Sequence, residues 1–302
     1  MRRVFNDLKL EAEFQQNGYV IVDFLGEEEV ARLKQQYFDG LAESGGNIES
    51  AEAGIQDAIT YDFTFINRNI AYKQAVFNLI TKAFQQRVDQ YLHQYTPLIA
   101  NFIRKRTNDG EVPLHQNWAF VDERKYTSVS IWCPLVDSDE QNGTLQVVPG
   151  SHKRFGAIRG PKIPWELEGI KKEIINRHLT PMRVRAGQAV ILDDSLVHYS
   201  AINKTDGLRL AIQLILMPQE ASSIHYHLEK PGDKVRILPA DVAFYMHFNP
   251  WKSMADATPL EVIRFKPFAV SEKQFVQGLQ GGRIDDAAAK TGWLERLKSM
   301  VS

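Results

Sequence analysis

Three features that mark special classes of protein are scarce in this sequence: cysteines, long apolar runs and charge of one sign. Cys133 is the only cysteine, so an intrachain disulfide is excluded, and its apolar surroundings predict a buried, unreactive thiol. No apolar run approaches the roughly 20 residues that cross a bilayer. The formal net charge is −1, which provides no bulk attraction to nucleic acid or to an anionic membrane.

The N-terminal segment M-R-R-V-F-N-D-L-K has no continuous apolar core of the kind found in secretory leaders. We therefore expect a soluble, cytoplasmic protein with no membrane and no nucleic-acid partner. The composition is otherwise ordinary, with 44% hydrophobic and 24% charged residues among 302. A chain of this kind can bury a sizeable core, and we expect one domain over residues 1–302.

Helices are predicted in the first third of the chain and strands in the rest. Acidic Glu27–Glu29 suit the positive end of a helix that continues to about Ala42, and an apolar stripe predicts a second helix from about Tyr72 to Gln94. Short strands follow, with hairpins predicted at Asn142-Gly143 and through Asn203–Gly207. Many short strands preceded by helices favour a mainly β fold: a double-stranded β-helix, the cupin-like jelly roll, with flanking helices.

This interpretation divides the chain into three parts. The jelly-roll core covers about residues 98–218, helices of residues 27–94 pack outside it, and further strands and helices follow over residues 224–302. Terminal helices are expected near Glu272–Leu279 and Asp286–Met300. The second carries an apolar stripe that would dock on its own domain or on a second subunit, so a homodimer is an open alternative. Loops 43–55 and 154–180 are expected to cover the pocket.

The most informative stretch is Pro113 to Glu123, P-L-H-Q-N-W-A-F-V-D-E. In an extended strand, residues i and i+2 point to the same face, so His115 and Asn117 can aim at one point. His198 lies far downstream in a second polar cluster. Two histidines from distant strands, with a short polar residue two places after the first, have the layout of a non-haem iron site. We therefore take His115, Asn117 and His198 as candidate metal ligands and catalytic residues, although the usual third ligand is a carboxylate.

Four sequence features together resemble the phytanoyl-CoA dioxygenase family of iron(II)- and 2-oxoglutarate-dependent oxygenases. They are N-G-Y-V-I-V-D-F-L with the acidic helix start after it, L-H-Q-N-W in place of the family's H-x-D motif, the long segment I-W-C-P-L-V-D-S-D-E-Q-N-G-T-L-Q-V-V-P-G-S-H-K, and Arg209 eleven residues after His198. The resemblance covers roughly Phe14 to Pro218. It implies an oxygenase that uses iron(II), 2-oxoglutarate and O2 to hydroxylate or otherwise oxidise a C–H bond of a small organic substrate.

The same resemblance implies a cosubstrate site. Arg209 stands at the family's position for the arginine that binds the distal carboxylate of 2-oxoglutarate, a task suited to a planar, bidentate guanidinium. Ser200 matches a position that hydrogen-bonds the same carboxylate, and Trp132 resembles an aromatic residue beside the cosubstrate. Asn101 and Lys105 are further candidates for this pocket. Strand alternation supports the assignment, because it places Arg209 on the face that also holds Gln213.

Asn117 departs from the family, which has aspartate there. An amide oxygen can coordinate a metal, but it is neutral and a weaker donor than a carboxylate. The alternatives are a natural variant in which Asn117 ligates weakly or another carboxylate substitutes, an engineered exchange of aspartate for asparagine, and a relative without oxygenase activity. Asp122 and Glu123 are the nearest carboxylates in sequence but would need a fold-back of the strand. The pair Asp193 and Asp194 is interpreted as turn residues.

Two hypotheses on function follow. The first is the oxygenase described above. The second is a non-catalytic relative that holds a ligand in the same jelly roll, for which Asn117 is the supporting feature. A halogenase is disfavoured, since family members of that type have a small residue at this position and asparagine is not small. Trp118 and Gln146 are candidates for substrate contact, with structural roles equally open.

Overall fold

The structure is a computed structural model that describes residues 2–43, 62–230, 232, 234–249, 253–254, 256–281 and 284. The helices are α1 Leu8–Asn17, α2 Glu27–Glu43, α3 Ile70–Tyr91, α4 Lys171–Arg177, α5 Val242–His247 and α6 Glu272–Gln280. The strands are β1 Tyr19–Asp23, β2 Asp62–Phe63, β3 Tyr95–Lys105, β4 Val112–His115, β5 Val129–Pro134, β6 Gln146–Val147, β7 Thr180–Pro181, β8 Gln188–Asp193, β9 His198–Ser200, β10 Arg209–Pro218, β11 Ile224–His227, β12 Val235–Pro239 and β13 Glu261–Ile263. Short 3-10 turns lie at Thr64–Ile66 and Glu168–Ile170.

Two antiparallel sheets form the centre of the molecule. A six-stranded sheet has the order β1-β8-β5-β10-β3-β2, and a four-stranded sheet has the order β4-β9-β6-β7. Side chains of both sheets line one cavity. This is the jelly roll predicted from the sequence. A third sheet, β11-β12-β13, follows it along the chain.

Helices α1, α2 and α3 cover the outer face of the six-stranded sheet, and the apolar periodicity of α2 and α3 predicts this. Helix α3 buries one stripe, consisting of Val76, Ile80, Phe84 and Val88. These side chains join one core cluster with the outward-facing residues of β5 and β10, among them Ile131 and Ile212. The opposite faces of the same strands carry Trp132 and Gln213, which line the cavity. Strand alternation therefore separates a purely apolar core from a cavity with polar residues.

Helix α1 was not among the predicted elements. Its first turn is capped by Asp7, whose Oδ1 accepts hydrogen bonds from the backbone N–H groups of Lys9 and Leu10 at 2.8 and 2.9 Å. It ends at Gly18, which has φ +81° and lets the chain turn directly into β1. Only Phe14 of this helix is fully buried, so the apolar stripe that would reveal it in the sequence is weak.

Both predicted hairpins are wrong. Strand β5 belongs to the six-stranded sheet, whereas β6, after Asn142-Gly143, belongs to the four-stranded sheet. Strands β9 and β10, on either side of Asn203–Gly207, are likewise in different sheets. The turn residues reverse the chain as expected, but each reversal carries it across the cavity from one sheet to the other. A turn signal specifies a change of direction and leaves the pairing partner undetermined.

The last third of the chain agrees with the prediction only in part. Strand β11 begins at Ile224, where further strands were expected, and helix α6 lies at the predicted Glu272–Leu279. Strands β12 and β13 and helix α5 were not individually predicted. The predicted helix Asp286–Met300 and its apolar stripe lie outside the described residues, as does most of loop 43–55. No helix in the described part of the chain is both long and apolar enough to cross a membrane.

Candidate functional site

The two candidate ligand histidines lie side by side in the four-stranded sheet. Strands β4 and β9 are antiparallel neighbours, and their register places His115 opposite His198. The ring centroids are 4.1 Å apart. Residues 83 positions apart in the chain are thus brought together by strand pairing, as the sequence analysis expected.

Hydrogen bonds fix the tautomer of both rings. Nδ1 of His115 lies 2.7 Å from the carbonyl oxygen of Pro113, and Nδ1 of His198 lies 2.8 Å from that of Leu196. A carbonyl oxygen only accepts, so Nδ1 must carry the proton in each ring. In a neutral imidazole the lone pair then resides on Nε2, the atom that would bind a metal.

Both rings are neutral at physiological pH. Burial lowers the pKa of His115, an effect partly offset by the Pro113 carbonyl and by the side chain of Asn117, which lies within hydrogen-bonding reach of the ring. Burial lowers the pKa of His198 well below its usual value, and the neighbouring His115 lowers it further. Neutral imidazoles are the form that coordinates a metal ion without first losing a proton.

Asn117 lies just beyond β4 and is held on several sides. Its Nδ2 donates to Oδ1 of Asp194 at 2.8 Å and to Oγ of Ser130 at 3.1 Å. Its backbone carbonyl oxygen accepts a hydrogen bond of 2.7 Å from Nε of Arg159. The amide is therefore fixed in both position and orientation beside the histidine pair.

The two aspartates interpreted as turn residues have different roles. Asp193 stabilises the turn as expected, since its Oδ1 accepts from the backbone N–H of Ser195 at 2.8 Å and from the hydroxyl of that residue at 2.6 Å. Asp194 lies in the same turn, but its carboxylate faces Asn117 and is fully buried. Burial raises the pKa of Asp194 to about 7, against the opposing effect of its hydrogen bonds with Ser130 and Asn117. This contact was not predicted, because nothing local in the sequence distinguishes Asp194 from its neighbour.

Neither of the carboxylates nearest in sequence reaches the histidines. Glu123 is buried and forms a two-pronged ion pair with Arg159, with N–O distances of 2.5 and 2.8 Å. Asp122 pairs with Lys125 at the surface. Among the described residues, no third histidine, cysteine or acidic side chain joins His115 and His198 in a cluster that could hold a metal.

The histidine pair opens into a cavity of about 350 Å³. Of the residues that the sequence predicts for the metal and cosubstrate sites, all but Lys105 line it: Asn101, His115, Asn117, Trp132, His198, Ser200 and Arg209. Trp118 also lines it, whereas Gln146 does not and instead pairs within the four-stranded sheet. The remaining wall is mainly apolar, with Phe63, Phe65, Ile66, Ile99, Phe120 and Ile215 among its members.

Arg209 is a buried cation, and two of its nitrogen atoms have no hydrogen-bond partner among the described residues. It is only 2% exposed, and the two atoms in question are Nε and Nη1. Burial lowers its pKa to about 9. Its guanidinium lies 5.7 Å from the ring centre of Trp132, within the range of a cation–π contact. Two free donors on a desolvated guanidinium match the carboxylate of a dicarboxylic acid.

Ser200 lies next to this guanidinium, but its hydroxyl already has partners. The hydroxyl donates to the carbonyl oxygen of Gly143 at 2.7 Å and accepts from Nζ of Lys105 at 2.5 Å. Lys105 therefore supports Ser200 and is not itself part of the cavity lining. Burial, together with the charge of Arg209, lowers the pKa of Lys105 to about 5. Asn101 donates to Gln213 at 3.2 Å, and its Oδ1 has no hydrogen-bond partner in the part of the chain that the structure describes.

The side chains present fit a divalent iron ion with a chelating cosubstrate. Two neutral imidazoles with free Nε2 atoms and one hard oxygen donor suit iron(II). The donor set departs from the usual one only in its charge, because the oxygen belongs to an amide. Unpaired donors of Arg209 in the same cavity suit the far end of 2-oxoglutarate.

Comparisons with known proteins agree with this chemistry. The phytanoyl-CoA dioxygenase (PhyH) family matches residues 14–211. Phytanoyl-CoA dioxygenase domain-containing protein 1 of Danio rerio is 31% identical over 118 residues, which cover 37% of this chain. The same alignment covers 40% of the relative, so the match spans about two fifths of its length.

Two solved structures have the same fold. EctD from S. alaskensis, crystallised with 2-oxoglutarate and 5-hydroxyectoine, aligns with a TM-score of 0.51 at 21% identity, covering 74% of this chain and 81% of that one. HygX from Streptomyces hygroscopicus, with nickel, 2-oxoglutarate and hygromycin B bound, aligns with a TM-score of 0.51 at 14% identity, covering 71% and 88%. The jelly-roll fold expected from the sequence is thereby confirmed.

Proposed function

The chain belongs to the phytanoyl-CoA dioxygenase family, and we propose that it is an iron(II)- and 2-oxoglutarate-dependent dioxygenase that hydroxylates or otherwise oxidises a C–H bond of a small organic substrate. The observation that carries this proposal is the position of His115, His198 and Arg209 on one cavity. The two rings leave Nε2 free for a metal, and the guanidinium leaves two donors free for a carboxylate.

Each residue has a distinct task in this proposal. His115, His198 and the amide oxygen of Asn117 would hold the iron, which when bound supplies the activation of O2. Arg209 would bind the distal carboxylate of 2-oxoglutarate and so direct its other end to the metal. The ring of Trp132 would stabilise the guanidinium in this place through the cation–π contact. Ser200 would join the carboxylate contact only by exchanging its present bond to Gly143.

The apolar wall bears on the substrate. Phe63, Phe65, Trp118 and Phe120 line the cavity, and Phe65 and Trp118 pack edge to face with ring centres 5.9 Å apart. Such a wall excludes water and orients a substrate through its apolar part. We therefore favour a small organic substrate that presents a hydrocarbon portion to the metal.

One observation favours a second candidate, a non-catalytic relative that binds a ligand in the same cavity. Asn117 occupies the place of the usual carboxylate, and no other acidic side chain among the described residues replaces it at the histidine pair. Such a protein would bind ligand without depending on the metal. The oxygenase should instead need the metal for tight binding of 2-oxoglutarate.

The test combines binding and turnover. Calorimetry of 2-oxoglutarate with and without iron(II) under anaerobic conditions is followed by measurement of succinate in air with a panel of apolar substrates. We expect metal-dependent 2-oxoglutarate binding that is lost in His115→Ala and His198→Ala, and iron-dependent succinate release. Binding that is independent of iron, or no succinate from a protein shown to hold iron, would favour the non-catalytic alternative. The cytoplasmic location and the homodimer remain predictions that cell fractionation and light scattering can check.

A further inference from the structure

The place of the usual carboxylate ligand is taken by an amide that is itself bonded to a carboxylate. Nδ2 of the Asn117 side chain donates to two acceptors, Oδ1 of Asp194 at 2.8 Å and Oγ of Ser130 at 3.1 Å. Ser130 completes the group by donating its own hydroxyl hydrogen to the same oxygen of Asp194 at 2.6 Å. The three side chains therefore form a closed hydrogen-bonded triangle.

This triangle decides which way the amide faces. Oδ1 of Asp194 receives the Ser130 hydroxyl and can act only as an acceptor toward Asn117, so the amide atom in contact with it must be nitrogen. The amide oxygen then lies on the other side, where the side chain contacts the His115 ring. Arg159 fixes the backbone of the same residue. The oxygen of Asn117 is thus the atom presented to the histidine pair.

Asp194 is a buried carboxylate without a counter-charge. Ser130, Ser128 and Asn117 act on it through hydrogen bonds, and no cation among the described residues forms an ion pair with it. A buried carboxylate that is hydrogen-bonded but not neutralised is unfavourable for folding. The turn itself is stabilised by Asp193. A cation held at the histidine pair would provide the missing compensation.

We propose that Asp194 is a positioning residue that supplies, through the Asn117 amide, the negative charge that a carboxylate at residue 117 would have placed on the metal. The inference rests on the proposed function, because it requires a metal ion at His115 and His198. Donation from the amide nitrogen to an anion draws electron density toward the amide oxygen and makes it a better donor. The charge stays within one side chain of the metal, so the site retains electrostatic attraction for a divalent cation.

A double-mutant cycle on metal affinity tests this. The full-length protein is titrated with Ni(II), a redox-inert divalent ion, by calorimetry in the absence of 2-oxoglutarate, at pH 8, where Asp194 with a pKa of about 7 is mostly ionised. The cycle compares wild type, Asn117→Asp, Asp194→Asn and the double variant. Asp194→Asn keeps an acceptor for Asn117 and removes only the charge. Asp193→Asn is the matched control, since it makes the same change in the neighbouring buried aspartate, which bonds Ser195 instead.

The proposal predicts that the effect of Asp194→Asn on Ni(II) affinity depends on which residue stands at position 117. With asparagine there, Asp194→Asn should weaken Ni(II) binding about tenfold or more, which corresponds to about 1.4 kcal/mol. With aspartate there, the same change should have little effect or tighten binding, because the direct ligand carries the charge and two adjacent carboxylates repel each other. Asp193→Asn should change the affinity less than threefold.

The outcomes separate this inference from the proposed function. Equal Ni(II) affinity in wild type and His115→Ala would show that the histidine pair is not a metal site, and it would overturn both proposals. Histidine-dependent binding that is equally strong in Asp194→Asn, or equally weakened by Asp193→Asn, overturns only the role of Asp194. Should Asp194→Asn not fold, the wild type is compared with Asn117→Asp alone. Because Asp194 already supplies a negative charge through the amide, the new carboxylate should tighten Ni(II) binding less than tenfold. A gain of tenfold or more, as expected for the first negative charge at the metal, contradicts the proposal.

Discussion

Nη2 of Arg209 lies 3.4 Å from Oγ of Ser200, although the two residues belong to strands of different sheets. The contact joins β9 and β10 across the cavity and places the guanidinium beside the strand that carries His198. The two remaining donor atoms of Arg209, Nε and Nη1, are buried without partners among the described residues. A desolvated cation in that situation favours an anionic ligand strongly.

Replacing Arg209 by alanine should weaken 2-oxoglutarate binding by about 2–4 kcal/mol, because a charge-assisted, two-pronged contact is lost in a buried place. Arg209→Lys should recover part of the loss, since it keeps the charge without the planar fork. Ni(II) binding without cosubstrate should change little. The measurement is calorimetry of both ligands, and full cosubstrate affinity in Arg209→Ala would remove this residue from the site.

Gly143→Ala should destabilise the fold far more than Gly150→Ala. Both glycines have positive φ, +72° and +76°, so both substitutions carry backbone strain of about 1 kcal/mol. A Cβ at Gly143 would also lie 2.2 Å from the carbonyl oxygen of Ala201, whereas at Gly150 the nearest atom is 3.7 Å away. We expect Gly143→Ala to lower the free energy of unfolding by at least about 3 kcal/mol. Urea unfolding checks this, and similar losses at the two positions would contradict the close approach.

Glu123→Gln should lower the free energy of unfolding by about 3–5 kcal/mol, because it leaves the buried Arg159 guanidinium without its counter-charge. Asp122→Asn is the control: this neighbouring carboxylate is partly exposed, and its change should cost less than about 1 kcal/mol. Arg159 also holds the backbone of Asn117, so Glu123→Gln should weaken Ni(II) binding as well. Equal unfolding curves for the two variants would show that the buried pair contributes nothing.

Lys73→Met should stabilise the protein at pH 7. Lys73 is 4% exposed and donates to the Tyr245 carbonyl oxygen at 3.1 Å. Burial lowers its pKa from 10.5 to about 8. Below pH 8 the side chain is protonated in both the folded and the unfolded protein, so the full cost of burying the charge applies. This cost declines as the pH rises from 8 and disappears above 10.5.

We therefore expect Lys73→Met to raise the free energy of unfolding by about 1–3 kcal/mol at pH 7, with the gain shrinking toward pH 10.5. Lys82→Met is the control: Lys82 is exposed on the same helix, so its replacement removes no buried charge and should change the free energy of unfolding little. Urea unfolding at pH 7, 8.5 and 10 provides the comparison. A gain that is constant over this range would mean that the charge of Lys73 is not the cause.

Local periodicity in the sequence determined much of this protein. Alternation along β10 predicted that Arg209 shares a face with Gln213, and both line the cavity, because neighbouring residues in a strand face opposite ways whatever the fold. The helical stripe of α3 was predictable for the same reason. The motif around His115 pointed to the family and hence to the jelly roll.

Long-range packing decided what the local pattern could not. Each of the two turn signals is compatible with a hairpin and with a crossing from one sheet to the other. The flanking strands lie in different sheets because the two sheets enclose a cavity between them. The two adjacent aspartates look alike in the sequence, yet Asp193 stabilises its own turn and Asp194 bonds Asn117, 77 residues away. Contacts of that kind depend on which strands meet in space, since they are made by side chains that no short segment of sequence brings together.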